Sequence, residues 1–84
     1  YPNPFNPSTR IVFNIEVQDD YITQIFNIKG QKVYDVLNEN LQPGEHTLIW
    51  NAKDNYGKKV PSGIFVMKIS NTHVSKQRKL VLMK

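Results

Sequence analysis

The chain has 84 residues, room for one domain and little for a deep active-site cleft, since a fold of this size hides only about 60% of its unfolded surface. It contains no cysteine, which excludes a disulfide framework and a thiolate metal site. Eleven basic and seven acidic residues give a net charge of +4. The excess gathers at Lys76, Arg78, Lys79 and Lys84, a stretch with neither an acid nor an aromatic, and charge without aromatic or motif support does not make a nucleic-acid interface.

Three of the five prolines fall in Tyr1-Pro2-Asn3-Pro4-Phe5-Asn6-Pro7. Proline fixes φ and drives its predecessor toward extended backbone, so residues 1–9 are predicted to form a stiff lead-in joined to a β-domain over 10–84. Because Tyr1 and not Met opens the chain, it is expected to be a piece of a longer precursor. Ile11, Phe13 and Ile15 alternate with Val12, Asn14 and Glu16, which predicts a half-buried strand. Asp19-Asp20 is predicted to turn the chain into a second strand over 21–28. Lys29-Gly30 then closes a hairpin onto a strand over 33–37, with glycine free to take positive φ.

Pro43-Gly44 occupies the two central positions of a type II turn. His46, Leu48 and Trp50 alternate with Thr47, Ile49 and Asn51 in the strand that follows. Asp54-Asn55-Tyr56-Gly57 is a further turn cluster, 62–70 a long apolar strand, Asn71-Thr72 a turn and 74–83 the last strand. No stretch has helical periodicity, and no internal repeat is evident. The longest apolar runs, 64–67 and 80–83, fall far short of the roughly 20 residues of a membrane helix. The pattern predicts an all-β sandwich of six or seven strands.

Chemistry is sparse. His46 and His73 are the only histidines, and no serine lies in a nucleophile motif. His46 is expected to be packed or half-exposed and His73 to lie in a turn. Asp19-Asp20 and Asp54-Asn55 offer oxygen ligands but lack the spaced acidic ladder of a calcium loop, and both pairs form turns in their own right. An exposed aromatic platform would be needed for sugar binding; Trp50 and most other rings are expected in the core, leaving Tyr56 as the exposed one. The final run, Lys79-Leu80-Val81-Leu82-Met83-Lys84, reads as a core strand flanked by charged gatekeepers or as a strand that a receptor reads.

Five segments taken in order carry a family likeness. They are Tyr1-Pro2-Asn3-Pro4-Phe5-Asn6-Pro7-Ser8-Thr9, residues 25–33, residues 41–50, residues 54–66 and residues 79–84. Together they resemble the type A C-terminal sorting domains of the type IX (Por) secretion system. The resemblance implies an Ig-like antiparallel β-sandwich of about seven strands, an upstream cargo domain in the same precursor and folding in the periplasm. It also implies outer-membrane secretion machinery that delivers the cargo to the cell surface or the medium, and a sortase-like peptidase that removes the domain. Pro61, Gly63, Phe65 and Val66 match the family's Pro-x-Gly-x-aromatic-Val motif, with Phe65 where Tyr is more usual. Lys79 and Lys84 match its terminal lysine motif. These six are the candidates for recognition; no catalytic residue, metal ligand or cofactor is implied.

The same pattern grades into the Ig-like domain of flagellar hook-capping proteins, so a structural assembly module is the alternative. A carbohydrate-binding accessory domain is a third reading, and an enzyme stands behind all of them. A receptor could engage the domain by strand addition at a free edge or by docking its basic tail on an acidic surface. Which strands form the edges is not written in the sequence.

Overall fold

The computed structural model describes residues 8–83 and folds them into six strands without a helix. The proline-rich opening and Lys84, with the expectations placed on them, lie outside these residues. The strands are β1 (Thr9–Ile15), β2 (Asp19–Asn27), β3 (Lys32–Leu41), β4 (Gly44–Trp50), β5 (Gly63–Ser70) and β6 (Ser75–Leu82). Antiparallel β1 and β4 make one sheet; the other has the order β3-β2-β5-β6 and is antiparallel throughout.

Period-two burial builds the sandwich. Ile11, Phe13 and Ile15 of β1, Tyr21, Thr23 and Ile25 of β2, and Phe65, Met67 and Ile69 of β5 all point inward. Two clusters fill the space between the sheets. One surrounds Trp50 with Ile11, Ile25, Phe65, Met67, Leu80 and Leu82. The other joins Phe13, Ile15, Tyr21, Leu41 and Ile69, and Leu48 packs against both.

The structure corrects three expectations. Among the described residues there are six strands, not seven, because the segment between β4 and β5 closes on itself through the single bridge Lys53↔Lys59. Asp19-Asp20 does not turn the chain. These residues open β2, paired with Leu41 and Asn40, and the bend falls at Val17, whose carbonyl accepts the Tyr21 hydroxyl at 2.8 Å. Ladder pairing here overrides the poor β-propensity of aspartate. For the same reason β3 runs on to Leu41: its polar end, Asn38-Glu39-Asn40, is exposed and needs no apolar alternation once β2 lies beside it.

The sequence reading also missed a local repeat. Asn27-x-x-Gly30-x-Lys32-Val33 and Asp54-x-x-Gly57-x-Lys59-Val60 fold alike. In the first loop Asn27 N–H donates to the Gln31 carbonyl, Gly30 N–H donates to the Asn27 carbonyl, and Asn27 Oδ1 accepts from the N–H of Lys29 and of Gln31. Asp54 makes the same four bonds with Lys58, Gly57 and Tyr56. Gly30 and Gly57 stand at φ 82° and 80°, the left-handed conformation that closes such a loop with a bulge.

Candidate recognition surface

The Trp50 end of the sandwich gathers what the sequence held apart. Trp50 is buried at the end of β4; its Nε1 donates to the Lys53 carbonyl at 2.9 Å, and its ring meets the edge of Phe65 at 5.1 Å and 72°. This anchors the start of β5 against β4. Phe65, buried at 5% exposure, is therefore a core residue that positions its neighbours. Pro61 and Gly63 are exposed beside it, and Val66 is half-buried on the opposite, outer face of the sheet.

The β5–β6 ladder then joins the two motifs. Gly63 lies opposite Leu82, Ile64 opposite Val81, Phe65 opposite Leu80 and Val66 opposite Lys79. Phe26 of β2 extends the last row, so Phe26, Val66 and Lys79 lie side by side across three strands. Of the six sequence candidates, five thus converge on one end of one sheet; Lys84 is outside the described residues.

Sequence reasoning missed the side chains that give this surface its character. Ile64 and Val81, cross-strand neighbours on the outer face, are 47% and 54% exposed, and Met83 is 80% exposed. The signal was present as period two: if Phe65 and Leu80 point inward, Ile64 and Val81 must point out. Beside them a groove of about 640 Å³ is walled by the twin loops and by Pro61, Gly63 and Phe65. The described parts of three segments that resemble the family, 25–33, 54–66 and 79–83, meet at this end of the sheet.

The remaining candidates for chemistry are occupied structurally. His46 stacks on Phe13 with centroids 5.8 Å apart, and its Nε2 donates to the Gln42 carbonyl at 2.7 Å. His73 lies in the exposed β5–β6 turn. Asp54 Oδ1 already accepts two loop N–H groups, and Asp20 Oδ1 accepts from Asn40 Nδ2 at 3.0 Å. Among the described residues no three His, Asp or Glu side chains are grouped to hold a metal ion. Tyr56 is 95% exposed, as expected, but stands without a second exposed ring of comparable size on its loop.

Asp35 is a perturbed carboxylate. Its pKa lies below the ordinary aspartate value, chiefly through the hydrogen bond from Gln24 Nε2 at 3.3 Å, with further lowering from Asn55 Nδ2 at 3.0 Å and Lys32 Nζ at 3.3 Å. Partial desolvation opposes these contacts and does not cancel them.

The comparisons with known proteins agree with this geometry. The family described as "Secretion system C-terminal sorting domain" matches residues 1–83. Three solved structures share the fold. The flagellar hook-capping protein FlgD from Xanthomonas campestris is 19% identical with a TM-score of 0.68, over 92% of this chain and 56% of that one. FlgD from P. aeruginosa is 18% identical with a TM-score of 0.67, over 89% and 61%. Dimeric latent PorU from Porphyromonas gingivalis is 15% identical with a TM-score of 0.62, over 96% of this chain and 8% of that one. The chain thus spans less than two thirds of each of these proteins. No curated protein matches the sequence.

Proposed function

The chain belongs to the secretion system C-terminal sorting domain family and is a type IX (Por) sorting signal, and we propose how it does this work. It is the tag of a longer precursor. It folds in the periplasm, presents the β5–β6 end to the outer-membrane secretion machinery, and is removed by a sortase-like peptidase once the cargo reaches the cell surface or the medium. Val66 and Lys79 are contact residues, Pro61 and Gly63 shape the neighbouring groove, and Phe65 holds the strand in place. Lys84 is a further recognition residue, as the family's terminal lysine motif implies. The domain works by binding, not by catalysis.

The observation that carries this reading is convergence. Segments separated by as much as half the chain or more, each ordinary turn-and-strand grammar alone, are brought together on one sheet around an exposed apolar pair with a lysine beside it. Exposed apolar surface rimmed by charge is what a docking protein needs.

The test is export of a periplasm-targeted fluorescent reporter carrying residues 1–84 at its C-terminus, in a bacterium with a working type IX system. Truncation at Arg78 is a poor control, because it deletes Leu80 and Leu82 from the core. The informative variant is Ile64→Thr/Lys79→Glu/Val81→Thr, which leaves the core intact. The reporter is expected outside the cell with the native domain and inside with the variant. Retention of both, while an established sorting domain exports the same reporter, would favour the structural-module reading.

A further inference from the structure

We propose that the partner engages this domain by β-strand addition to the free edge of β6, contributing an extended segment that alternates apolar and acidic side chains. This rests on the sorting-signal reading and adds to it the mode and chemistry of recognition.

The four-stranded sheet has two outer strands, β3 and β6, and among the described residues only β3 carries a backbone cap, over its first turn-proximal residues. The far end of β3 is rich in polar and acidic side chains that suit an acidic partner strand poorly. Asn55 caps the start of β3: its N–H donates to the Val33 carbonyl at 3.1 Å and its Oδ1 accepts the Asp35 N–H at 2.9 Å. Those are outward backbone groups at the Val33–Asp35 end of β3, where an added strand would have to begin pairing. Among the described residues β6 has a single ladder, to β5, and nothing corresponding to Asn55 lies on its other side.

The register identifies the backbone groups that remain open. Asn71 N–H donates to the Val74 carbonyl at the β5–β6 turn. Antiparallel pairs alternate between bonded and non-bonded, so Lys76, Arg78, Leu80 and Leu82 bond to β5. Gln77, Lys79 and Val81 therefore point both N–H and C=O away from the sheet. Their side chains lie on the outer face, with the exposed Ile64 beside Val81.

Charge and shape define the occupant. β6 carries Lys76, Arg78 and Lys79 and no acid, so acidic side chains on the outer face of an added strand would lie beside Lys79. On the inner side, β6 and β1 bound a groove of about 610 Å³ whose apolar walls include Phe13, Ile15, Met67 and Ile69. Arg78 spans its mouth, with Nη1 donating to the Val12 carbonyl. The acids of the groove, Glu16 and Asp19, come from the β1–β2 corner, whereas Lys76 and Arg78 come from β6. Inward-facing apolar side chains of an added strand would seat over this groove, continuing the core. A long exposed edge of this kind is otherwise an aggregation hazard, held in check here by its lysines.

Residue-resolved hydrogen exchange on the complete chain tests the proposal. The probe is a synthetic peptide of about ten residues alternating valine and glutamate, the span of a long strand; its control has every second amide N-methylated. Protection is expected to rise about tenfold or more at Gln77, Lys79 and Val81 with the probe, and not with the control. Lys76, Arg78 and Leu80, already bonded to β5, should change little. Absence of protection at those three amides overturns the proposal. A second arm uses Val81→Pro, which removes an outward N–H at an edge position where proline is tolerated, against Val81→Ala. Export of the native and Val81→Pro reporters alike overturns strand addition and leaves the sorting reading intact. Failure of the native reporter to leave the cell, with edge protection by the peptide present, overturns the sorting reading alone.

Discussion

Asn55 stands in for a missing strand beside Asp35. Its side-chain oxygen accepts the Asp35 N–H at 2.9 Å, and its side-chain nitrogen donates to the Asp35 carboxylate at 3.0 Å. A residue from the loop between β4 and β5 thereby caps the Val33–Asp35 end of β3 and holds the two twin loops together. Asn55→Ala is expected to lower stability by about 1–2 kcal/mol, the size of one or two hydrogen bonds. It should also expose the β3 edge. Denaturant melts and sedimentation at rising concentration check both; a monomeric variant of native stability would show that the cap is incidental.

Asp35 also sets an acid dependence. Its folded pKa lies below the unfolded value because Gln24, Asn55 and Lys32 all favour the ionised form. The stabilisation is therefore complete above the ordinary aspartate range and is lost as pH falls through the lowered value. Carbon-detected titration of the carboxyl should find its midpoint below that of a free aspartate, with the largest upward shift in Gln24→Ala. A midpoint at or above the ordinary value would contradict the geometry.

Thr23 is fully buried in the central strand β2, and its Oγ1 has no hydrogen-bond partner among the described residues. Its neighbours across the ladders are Leu37 and Ile69. Valine has nearly the same shape without the hydroxyl, so Thr23→Val is expected to gain about 1 kcal/mol, or roughly 4–8 °C in Tm. A loss of stability would mean that the hydroxyl is satisfied after all.

The twin loops make a paired comparison. A Cβ at Gly30 or Gly57 would meet nothing within 4 Å, yet both sit at positive φ. Substitution to alanine should thus cost backbone strain alone, about 1–2 kcal/mol at each site. Gly57→Ala is expected to exceed Gly30→Ala, because only the second loop carries the Asn55 cap. Equal costs in thermal melts would separate the cap from the loop conformation.

Phe65 tests the division between core and surface. Phe65→Ala removes the partner of Trp50 from the main cluster, and a loss of about 3–5 kcal/mol is expected. That is a large share of the roughly 5–15 kcal/mol that holds a domain together. Lys79→Ala should leave the melting curve within about 0.5 kcal/mol of native, as surface substitutions do.

The sequence by itself determined the class of fold and most of its strands. Period-two alternation in 11–15 and 46–50 depends on nearest neighbours along one strand; Ile11, Phe13, Ile15 and Trp50 are buried, and Leu48 packs against both core clusters. It determined the family as well, through motifs that are local strings. Tertiary structure decided the rest, because pairing between distant segments is not a local property. Only the ladder shows that Asp19 and Asp20 extend β2 and that β3 runs ten residues. Only the β5–β6 register sets Val66 beside Lys79 and turns Ile64 and Val81 into an exposed pair while Phe65 goes to the core. Which strands form the edges, and where one of them is capped, was likewise undecidable from the string: the cap depends on Asn55 folding back on the start of β3, a contact between residues twenty apart that no propensity encodes.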